Sequence, residues 1–291
     1  MRILTYLATE QDAGKRVETV LTGRLQISHG LLSRLKRREK GICVNGHRVY
    51  STFVLQAGDL ITADVGDEAP PRRLKPAKMD LVVAYEDEDL LVVDKCANVT
   101  VHPTKDPEEQ NVEQGLLAYF PDGVYPHFVS RLDKGTTGLM LVVKSGYVHE
   151  LMKRRLHTES FYREYLAVAE GSLMTECGEI DAPIGLADGS SYRHAVRPDG
   201  AKSLTVYETL SVCNGRTLLR LTPQTGRTHQ LRVHMAYLGH PLTGDWLYGK
   251  RSSEIDRPAL HSHRLVFVHP LSAERIECCS PLPQDMKNLI S

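Results

Sequence analysis

The stretch from Ser130 to Gly138 combines residue types that could do chemistry, and it reads Ser-Arg-Leu-Asp-Lys-Gly-Thr-Thr-Gly. It places Arg131 two residues before the carboxylate of Asp133, within a segment rich in turn-forming residues. The apolar run from Leu139 to Val143 follows and predicts a buried strand. Reacting groups often lie on loops that a rigid element holds in place. Taken alone, however, the pattern is explained more simply by an aspartate that only shapes the turn.

A second candidate region lies at the start of a predicted helix, which runs from His229 to Leu238. Thr228 is expected to cap this helix and Gly239 to close it. Arg232 falls in the first turns of the helix, and Arg227 lies in the turn before it. Because the N-terminus of a helix is the positive end of its dipole, we expect this region to hold an anion.

The composition is typical of a soluble globular protein, since 41% of the 291 residues are hydrophobic and 25% are charged. The length allows one large domain or two smaller ones. We find no apolar run near the roughly 20 residues that span a bilayer, and no signal peptide. The six Cys form no Cys-x-x-Cys pair, which argues against zinc and against a disulfide framework. We therefore expect a cytoplasmic protein without a membrane or metal association.

Charge is segregated along the chain, although the formal net charge is zero. Nine Lys or Arg and only two acidic residues lie between Gly14 and Arg48, whereas Glu86 to Asp89 is entirely acidic. We interpret the basic segment as a surface that binds phosphate groups. The alternative interpretation is that these residues only form a solvated helix face. The candidates for phosphate contact are Arg34, Lys36, Arg37, Arg38 and Lys40.

Residues 1–66 are predicted to form a small separate module. Its first helix is expected from Arg16 to Leu25. Its second helix should begin after an N-cap at Ser28, carry most of the basic candidates and end near Gly41. A hairpin with its turn at Asn45-Gly46 and a last strand follow.

A second and larger domain is predicted from residue 80 to residue 291. The segment before it, 67–79, is rich in proline and charge without periodicity, which predicts a linker. Both strands and short helices are predicted in this domain, and the fold class that we expect is α+β. The predicted elements are a hairpin of Leu81–Tyr85 with Leu90–Asp94, helices at Val112–Tyr119 and Tyr147–Leu156, strands at Phe161–Gly171 and Leu218–Pro223, and an exposed loop or hairpin at Leu186–Gly200.

The stretch around Asp133 resembles the Arg-Leu-Asp-x-x-Thr-Ser-Gly signature of the RluA family of RNA pseudouridine synthases. Phe161–Gly171 resembles the family's Lys-x-Tyr-x-Ala-x-x-x-Gly motif, and Thr225–His234 resembles its third motif. The resemblance implies that Asp133 is the catalytic nucleophile and that Arg232 pairs with it. It also implies that Tyr165, otherwise most simply a core tyrosine, is the active-site tyrosine, and Tyr162 is the alternative.

Five positions depart from the family's usual residues. Asp133 and Arg131 are not among them. Asn98 is expected to tolerate the positive φ of a turn, and Cys96 to be a small buried residue. The departures are Ser130 for His, Thr137 for Ser, Cys96 for Pro, Asn98 for Gly and Arg163 for Lys.

The resemblance implies the isomerisation of uridine to pseudouridine in RNA. The N-glycosidic bond breaks and carbon 5 of the base joins the anomeric carbon, so no cofactor or metal is needed. Arg131, Arg227 and His229 are expected to contact the RNA. The implied fold is a central, mainly antiparallel mixed sheet flanked by helices and loops, preceded by the small α-β module.

The target RNA is predicted from the N-terminal module. Residues 1–66 resemble the RNA-binding domain of the ribosomal-protein-S4-like family, which favours large-subunit ribosomal RNA as the partner of a monomeric enzyme. Transfer RNA is one alternative. A non-catalytic RNA-binding protein of ribosome assembly is another. A zinc nucleobase deaminase would need a Pro-Cys-x-x-Cys sequence, which the chain lacks.

Overall fold

The computed structural model describes residues 2–68, 74–104, 106, 108–156 and 158–291. The predicted linker therefore falls partly outside the described residues, at 69–73. The N-terminal elements form a four-stranded antiparallel sheet in the order β1-β4-β2-β3, with two short helices against it. They are β1 (Ile3–Leu7), α1 (Val17–Gly23), α2 (His29–Leu35), β2 (Ile42–Val44), β3 (His47–Arg48) and β4 (Leu60–Asp64), with a 3-10 turn at Glu10–Asp12.

Local sequence signals explain most of this module. The hydroxyl of Ser28 accepts a hydrogen bond from the backbone N–H of Leu31, which confirms the predicted cap. Asn45 and Gly46 both have positive φ, at 51° and 80°, as the two-residue hairpin requires. The strand β1 was not predicted.

The predicted end of the second helix was wrong, because α2 ends at Leu35 rather than near Gly41. Beyond Leu35 the backbone tightens, and the N–H groups of Arg37 and Arg38 bond to carbonyls three residues back. No apolar side chain follows until Ile42, so nothing holds a further helical turn against the core. Four of the five basic candidates consequently lie on turns after the helix.

The larger part of the chain is built on a ten-stranded mixed sheet. The sheet order is β10-β13-β14-β9-β15-β8-β6-β5, with β16 paired to β15 and β7 to β8. The strands are β5 (Val82–Glu86), β6 (Leu90–Lys95), β7 (His127–Phe128), β8 (Thr137–Val143), β9 (Phe161–Glu170), β10 (Cys177–Asp181), β11 (Ile184–Leu186), β12 (His194–Val196), β13 (Leu204–Cys213), β14 (Arg216–Pro223), β15 (Leu260–Val268) and β16 (Arg275–Cys279). The helices are α3 (Val112–Tyr119), α4 (Gly146–Arg155), α5 (Gln230–Tyr237) and α6 (Gln284–Asn288).

The pairing confirms a mainly antiparallel sheet with one parallel neighbour. The strands β8 and β15 run parallel and pair only at Thr137 with His261 and at Gly138 with Ser262. The strands β11 and β12 form a separate hairpin, which begins at Ile184, two residues before the loop or hairpin predicted at 186–200. No helix of the described residues is long and apolar enough to cross a membrane.

The centre of the sheet is buried on both faces. Leu139 and Leu141 of β8 enter one apolar cluster, while Met140 and Val142 enter the other, as the two-residue period of a strand requires. The first cluster also contains side chains of the N-terminal module, such as Leu21. The two parts of the chain therefore share a continuous core.

Candidate active site

The loop that carries Asp133 is held by two buried cations. Lys95, at the end of β6, donates hydrogen bonds to the carbonyls of Cys96 (2.8 Å), Val99 (2.9 Å) and Lys134 (3.0 Å). The guanidinium of Arg257 donates to the carbonyl of Gly135 at 3.2 Å. Burial lowers the pKa of Lys95 to about 8. The loop is thus fastened to the sheet on either side, and it leads directly into β8.

Cross-strand register brings Tyr165 to the same place. Tyr165 of β9 pairs with Ser262 of β15, and Ser262 pairs with Gly138 of β8. Gly138 has a φ of +104°, and a Cβ there would lie 2.3 Å from the carbonyl oxygen of Ser262. Glycine is therefore required where β8 approaches β15. Asp133 and Tyr165 line one cavity of about 250 Å³.

Asp133 and Arg232 line this cavity, and they belong to an ion-paired triad whose third member, Asp245, is buried. Arg232 donates from Nη1 to Oδ2 of Asp133 at 3.1 Å. Its Nε and Nη2 bind the two oxygens of Asp245 at 2.7 and 2.8 Å. Asp245 is fully buried, whereas the side chain of Asp133 is 26% exposed. Burial by itself would lower the pKa of Arg232. The hydrogen bonds and charges of Asp245 and Asp133 have the larger effect, so the pKa of Arg232 is raised.

The triad leaves Asp133 partly free. Arg232 engages only Oδ2, and Oδ1 accepts no hydrogen bond from any residue in the described part of the chain. The geometry therefore provides a carboxylate oxygen that is open to a ligand and backed by a fixed cation.

The turn before α5 is locked by its own side chains. Gln230 is buried and accepts from the hydroxyl of Thr225 at 2.7 Å and from the N–H of Arg227 at 3.0 Å. The N-cap of α5 is His229, with a φ of 56°, so the prediction that Thr228 caps this helix was wrong. The side-chain amide of Gln230 stabilises the turn instead of a cap hydroxyl. Gly239, with a φ of +84°, follows the helix end as predicted.

His229 and Tyr248 form a second layer around the triad. His229 has Nε2 3.7 Å from Oδ2 of Asp133, and its Nδ1 is 2.8 Å from the hydroxyl of Tyr248. The guanidinium carbon of Arg232 lies 5.1 Å from the centre of the Tyr248 ring. Burial lowers the pKa of His229, which favours the neutral form of its imidazole.

The other candidates near the cavity take different positions. Arg131 and Arg227 are exposed at its rim, where Arg131 reaches the hydroxyl of Thr228 at 3.5 Å. Tyr162 lies in a different depression, where its hydroxyl meets Glu164, so Tyr165 is the tyrosine that accompanies Asp133. Burial raises the pKa of Tyr165.

The basic candidates of the N-terminal module lie outside this cavity. They differ in exposure and in whether they contact other residues of the protein. Arg34, Arg37 and Lys40 are exposed. Lys36 pairs with Glu18 at 3.2 Å. Arg38 is only 12% exposed, and it donates to the carbonyl of Asp64 at 2.6 Å. Arg34, Arg37 and Lys40 are therefore the members most available to a phosphate.

The family model for RNA pseudouridylate synthases matches residues 89–237, a range that includes Asp133, Tyr165 and Arg232. The chain is 38% identical to an uncharacterized RNA pseudouridine synthase of Bacillus subtilis, over 92% of this chain and 96% of that protein. It is 39% identical to ribosomal large subunit pseudouridine synthase D of Escherichia coli O157:H7, over 99% of this chain and 93% of that protein. The chain belongs to the RluA family of RNA pseudouridine synthases.

Solved structures agree with this assignment. The synthase is similar to human RNA pseudouridylate synthase domain containing 1, with a TM-score of 0.59 and 28% identity over 72% of this chain and 86% of that chain. Human RNA pseudouridylate synthase domain containing 4 shares the fold, with a TM-score of 0.58 and 22% identity over 71% of this chain and 90% of that chain.

Three residues of the synthase site were missed as site residues by the sequence analysis. They are Lys95, Asp245 and Tyr248. Gly244-Asp245 was visible as a turn sequence, but a buried carboxylate in a turn looks the same in sequence as an exposed one. Of the family departures, Asn98 has the expected positive φ of 61°, whereas the expectation that Cys96 is buried was wrong, because it is exposed beside that turn.

Proposed function

We propose that this RNA pseudouridine synthase isomerises uridine in large-subunit ribosomal RNA, with Asp133 as its nucleophile. The observation that carries the proposal is the triad of Asp133, Arg232 and Asp245, because Asp133 and Arg232 line one cavity together with Tyr165. Nucleophilic catalysis needs an ionised carboxylate that is accessible to the substrate. The pairing of Arg232 with Oδ2 alone leaves such an oxygen on Asp133.

Each of these side chains has a proposed role in the isomerisation. The glycosidic bond from nitrogen 1 of the base breaks, carbon 5 bonds to the anomeric carbon, and the proton from carbon 5 is lost while nitrogen 1 gains one. Asp133 forms the transient bond to the substrate. Arg232, held by Asp245, balances the charge of that carboxylate as it changes during the reaction. The target base must first leave its stack, at a cost of a few kcal/mol.

The role of Tyr165 follows from its burial. Because its pKa is raised, its hydroxyl is protonated at neutral pH. A protonated phenol cannot accept the proton of carbon 5, which favours stacking on the uracil over general-base catalysis. Arg131 at the rim is available to fill the gap that the flipped nucleotide leaves, and Arg227 to contact the backbone phosphates.

Two observations support ribosomal RNA as the target. The relative from Escherichia coli with 39% identity is named a ribosomal large subunit pseudouridine synthase. The N-terminal module, which we propose to be an S4-like RNA-binding domain, presents Arg34, Arg37 and Lys40 on its surface.

Tritium release tests both parts of this proposal. Unmodified large-subunit ribosomal RNA and transfer RNA, each with uridine labelled at carbon 5, would be incubated with wild type and with Asp133→Asn. We expect release from the ribosomal RNA by wild type only, with RNA affinity preserved in the variant. Turnover by Asp133→Asn would eliminate Asp133 as the nucleophile. Release from transfer RNA alone would move the target to that class, and binding without release from either pool would favour a non-catalytic role.

A further inference from the structure

A second cavity, of about 640 Å³, adjoins the one that holds the triad. The two cavities share Arg131, Asp133, His229 and Arg232 as wall residues. A molecule in the second cavity would therefore lie directly beside a uridine bound at Asp133. The reaction as proposed requires no ligand at this place.

Exposed aromatic side chains form part of the wall of this second cavity. Trp246 is 53% exposed, and Tyr192, between β11 and β12, is 61% exposed. Large apolar surfaces that remain in water commonly mark binding sites when they lie together in a concave region. These two side chains come from separate segments of the chain, so their meeting at one cavity is a property of the fold.

The turn that carries Trp246 is rigid. Oδ1 of the buried Asp245 accepts hydrogen bonds from the N–H groups of Leu247 at 3.1 Å and Tyr248 at 3.3 Å. The guanidinium carbon of Arg251 lies 5.9 Å from the centre of the Trp246 ring. An aromatic side chain on an ordered backbone has only two side-chain torsions to fix when a ligand stacks on it, so the loss of conformational entropy is small. The same carboxylate thus positions the catalytic Arg232 and the exposed tryptophan.

We propose that the second cavity binds an unpaired nucleotide that flanks the target uridine, with its base stacked on Trp246 and bordered by Tyr192. This inference rests on the proposed RNA substrate. Aromatic platforms combined with nearby cations are the usual way in which proteins hold single-stranded nucleic acid. Arg131 and Arg251 supply the cations. A protein ligand is disfavoured, because the cavity opens into the nucleotide site itself.

The chain offers a direct probe, because Trp246 is its only tryptophan. Asp133→Asn, which should bind RNA without turnover, would be titrated with unmodified large-subunit ribosomal RNA while tryptophan fluorescence is recorded. Stacking of a base on the indole should quench the emission, with a midpoint equal to the dissociation constant from a separate binding assay. Binding without any change in emission would overturn the proposal.

Kinetics give an independent test. Trp246→Ala should raise KM for RNA by roughly 5- to 100-fold, as expected for the loss of one stacked base. It should leave kcat nearly unchanged, and Trp246→Phe should retain most of the affinity. Tyr237→Ala is the matched control, since Tyr237 is an aromatic residue of comparable exposure, 61% against 53% for Trp246, but lies outside both cavities. Equal KM values for Trp246→Ala and Tyr237→Ala would overturn the subsite.

The two proposals fail in different ways. If wild type releases no tritium from either RNA pool, the proposed function fails, and quenching of Trp246 by the same RNA still decides the subsite. If wild type is active but its fluorescence and the KM of Trp246→Ala do not respond, only the subsite is wrong.

Discussion

Asp245 holds Arg232, the residue that contacts the proposed nucleophile Asp133. It is fully buried and binds Arg232 through both oxygens. Removing one partner of a buried ion pair leaves an uncompensated charge, typically at a cost of about 3–5 kcal/mol. Arg232 would then be free to turn away from Asp133.

We expect Asp245→Asn to lower kcat on the order of 10²-fold, because a small misplacement of a catalytic group has effects of that size. KM for RNA should change much less. Tritium release over a range of RNA concentrations separates the two constants, and Asp122→Asn, an exposed residue, is the control. A normal kcat in Asp245→Asn would show that Arg232 is positioned without this carboxylate.

Lys95 should make the stability of the fold depend on pH. Its pKa falls from the ordinary 10.5 to about 8 in the folded protein. Between these values the unfolded chain binds one more proton than the folded chain, so rising pH stabilises the fold. One pKa unit corresponds to 1.36 kcal/mol. The free energy of unfolding should therefore rise by about 3 kcal/mol as the pH rises from about 8 to 10.5.

Lys95→Met removes this titration. We expect the difference in unfolding free energy between wild type and Lys95→Met to grow as the pH rises from about 8 to 10.5, and to be constant below about 8. Urea unfolding at several pH values measures it, and Lys78→Met, an exposed lysine, should show no such trend. Parallel profiles for wild type and Lys95→Met would contradict a lowered pKa for Lys95.

At the scale of elements, the contact between β8 and β15 joins the catalytic loop to the strand beside Tyr165. Only two residue pairs make this parallel contact, and Gly138 approaches Ser262 so closely that no side chain fits. We expect Gly138→Ala to cost about 2–5 kcal/mol from its positive φ and the overlap together. Turnover should fall as well, because Asp133 and Tyr165 are aligned through this contact.

Thermal unfolding and tritium release measure these effects, and Gly123→Ala separates their causes. Gly123 also has a positive φ, of +83°, but nothing lies within 4 Å of a Cβ there. Its substitution should cost only about 1–2 kcal/mol and preserve turnover. Similar losses in both variants would mean that backbone conformation, and not the close strand contact, sets the requirement at Gly138.

Local sequence patterns predicted many of the helices and strands. They did not predict which distant strands pair with each other. The helix at Val112–Tyr119 and the cap at Ser28 were predicted correctly, since each depends on adjacent residues. The pairing of Gly138 with Ser262 joins distant segments, and no local pattern encodes it. At the candidate active site, motif resemblance predicted roles for Asp133, Tyr165 and Arg232, and these three residues line one cavity. It did not supply Asp245, because burial of a polar group depends on the complete fold.

At the scale of the whole molecule, contacts tie the N-terminal module to the catalytic part. Arg2 binds both oxygens of Asp89, and the hydroxyl of Tyr147 donates to the carbonyl of Leu25 at 2.6 Å. The acidic segment at 86–89 thus contributes to the contact between the two parts of the chain through Asp89. The division at residues 66 and 80 remains a prediction, and one apolar cluster contains side chains from both parts of the chain.

This arrangement separates RNA affinity from catalysis. The exposed cations of the module lie outside the catalytic cavity, so they should add electrostatic affinity without touching the reaction. We expect the triple variant Arg34→Gln, Arg37→Gln, Lys40→Gln to bind ribosomal RNA more weakly, with kcat at saturating RNA unchanged. Each lost phosphate contact should also reduce the slope of log K against log salt by about 0.7–0.9.

Binding at several salt concentrations, together with tritium release at saturation, measures these effects. The control triple variant Lys75→Gln, Arg275→Gln, Lys287→Gln removes the same charge from exposed residues elsewhere. Equal salt slopes for the two variants would mean that the module contributes only to the net charge. A lower slope in the first variant alone would assign the phosphate contacts to the module, because charge removed elsewhere leaves the number of released counterions unchanged.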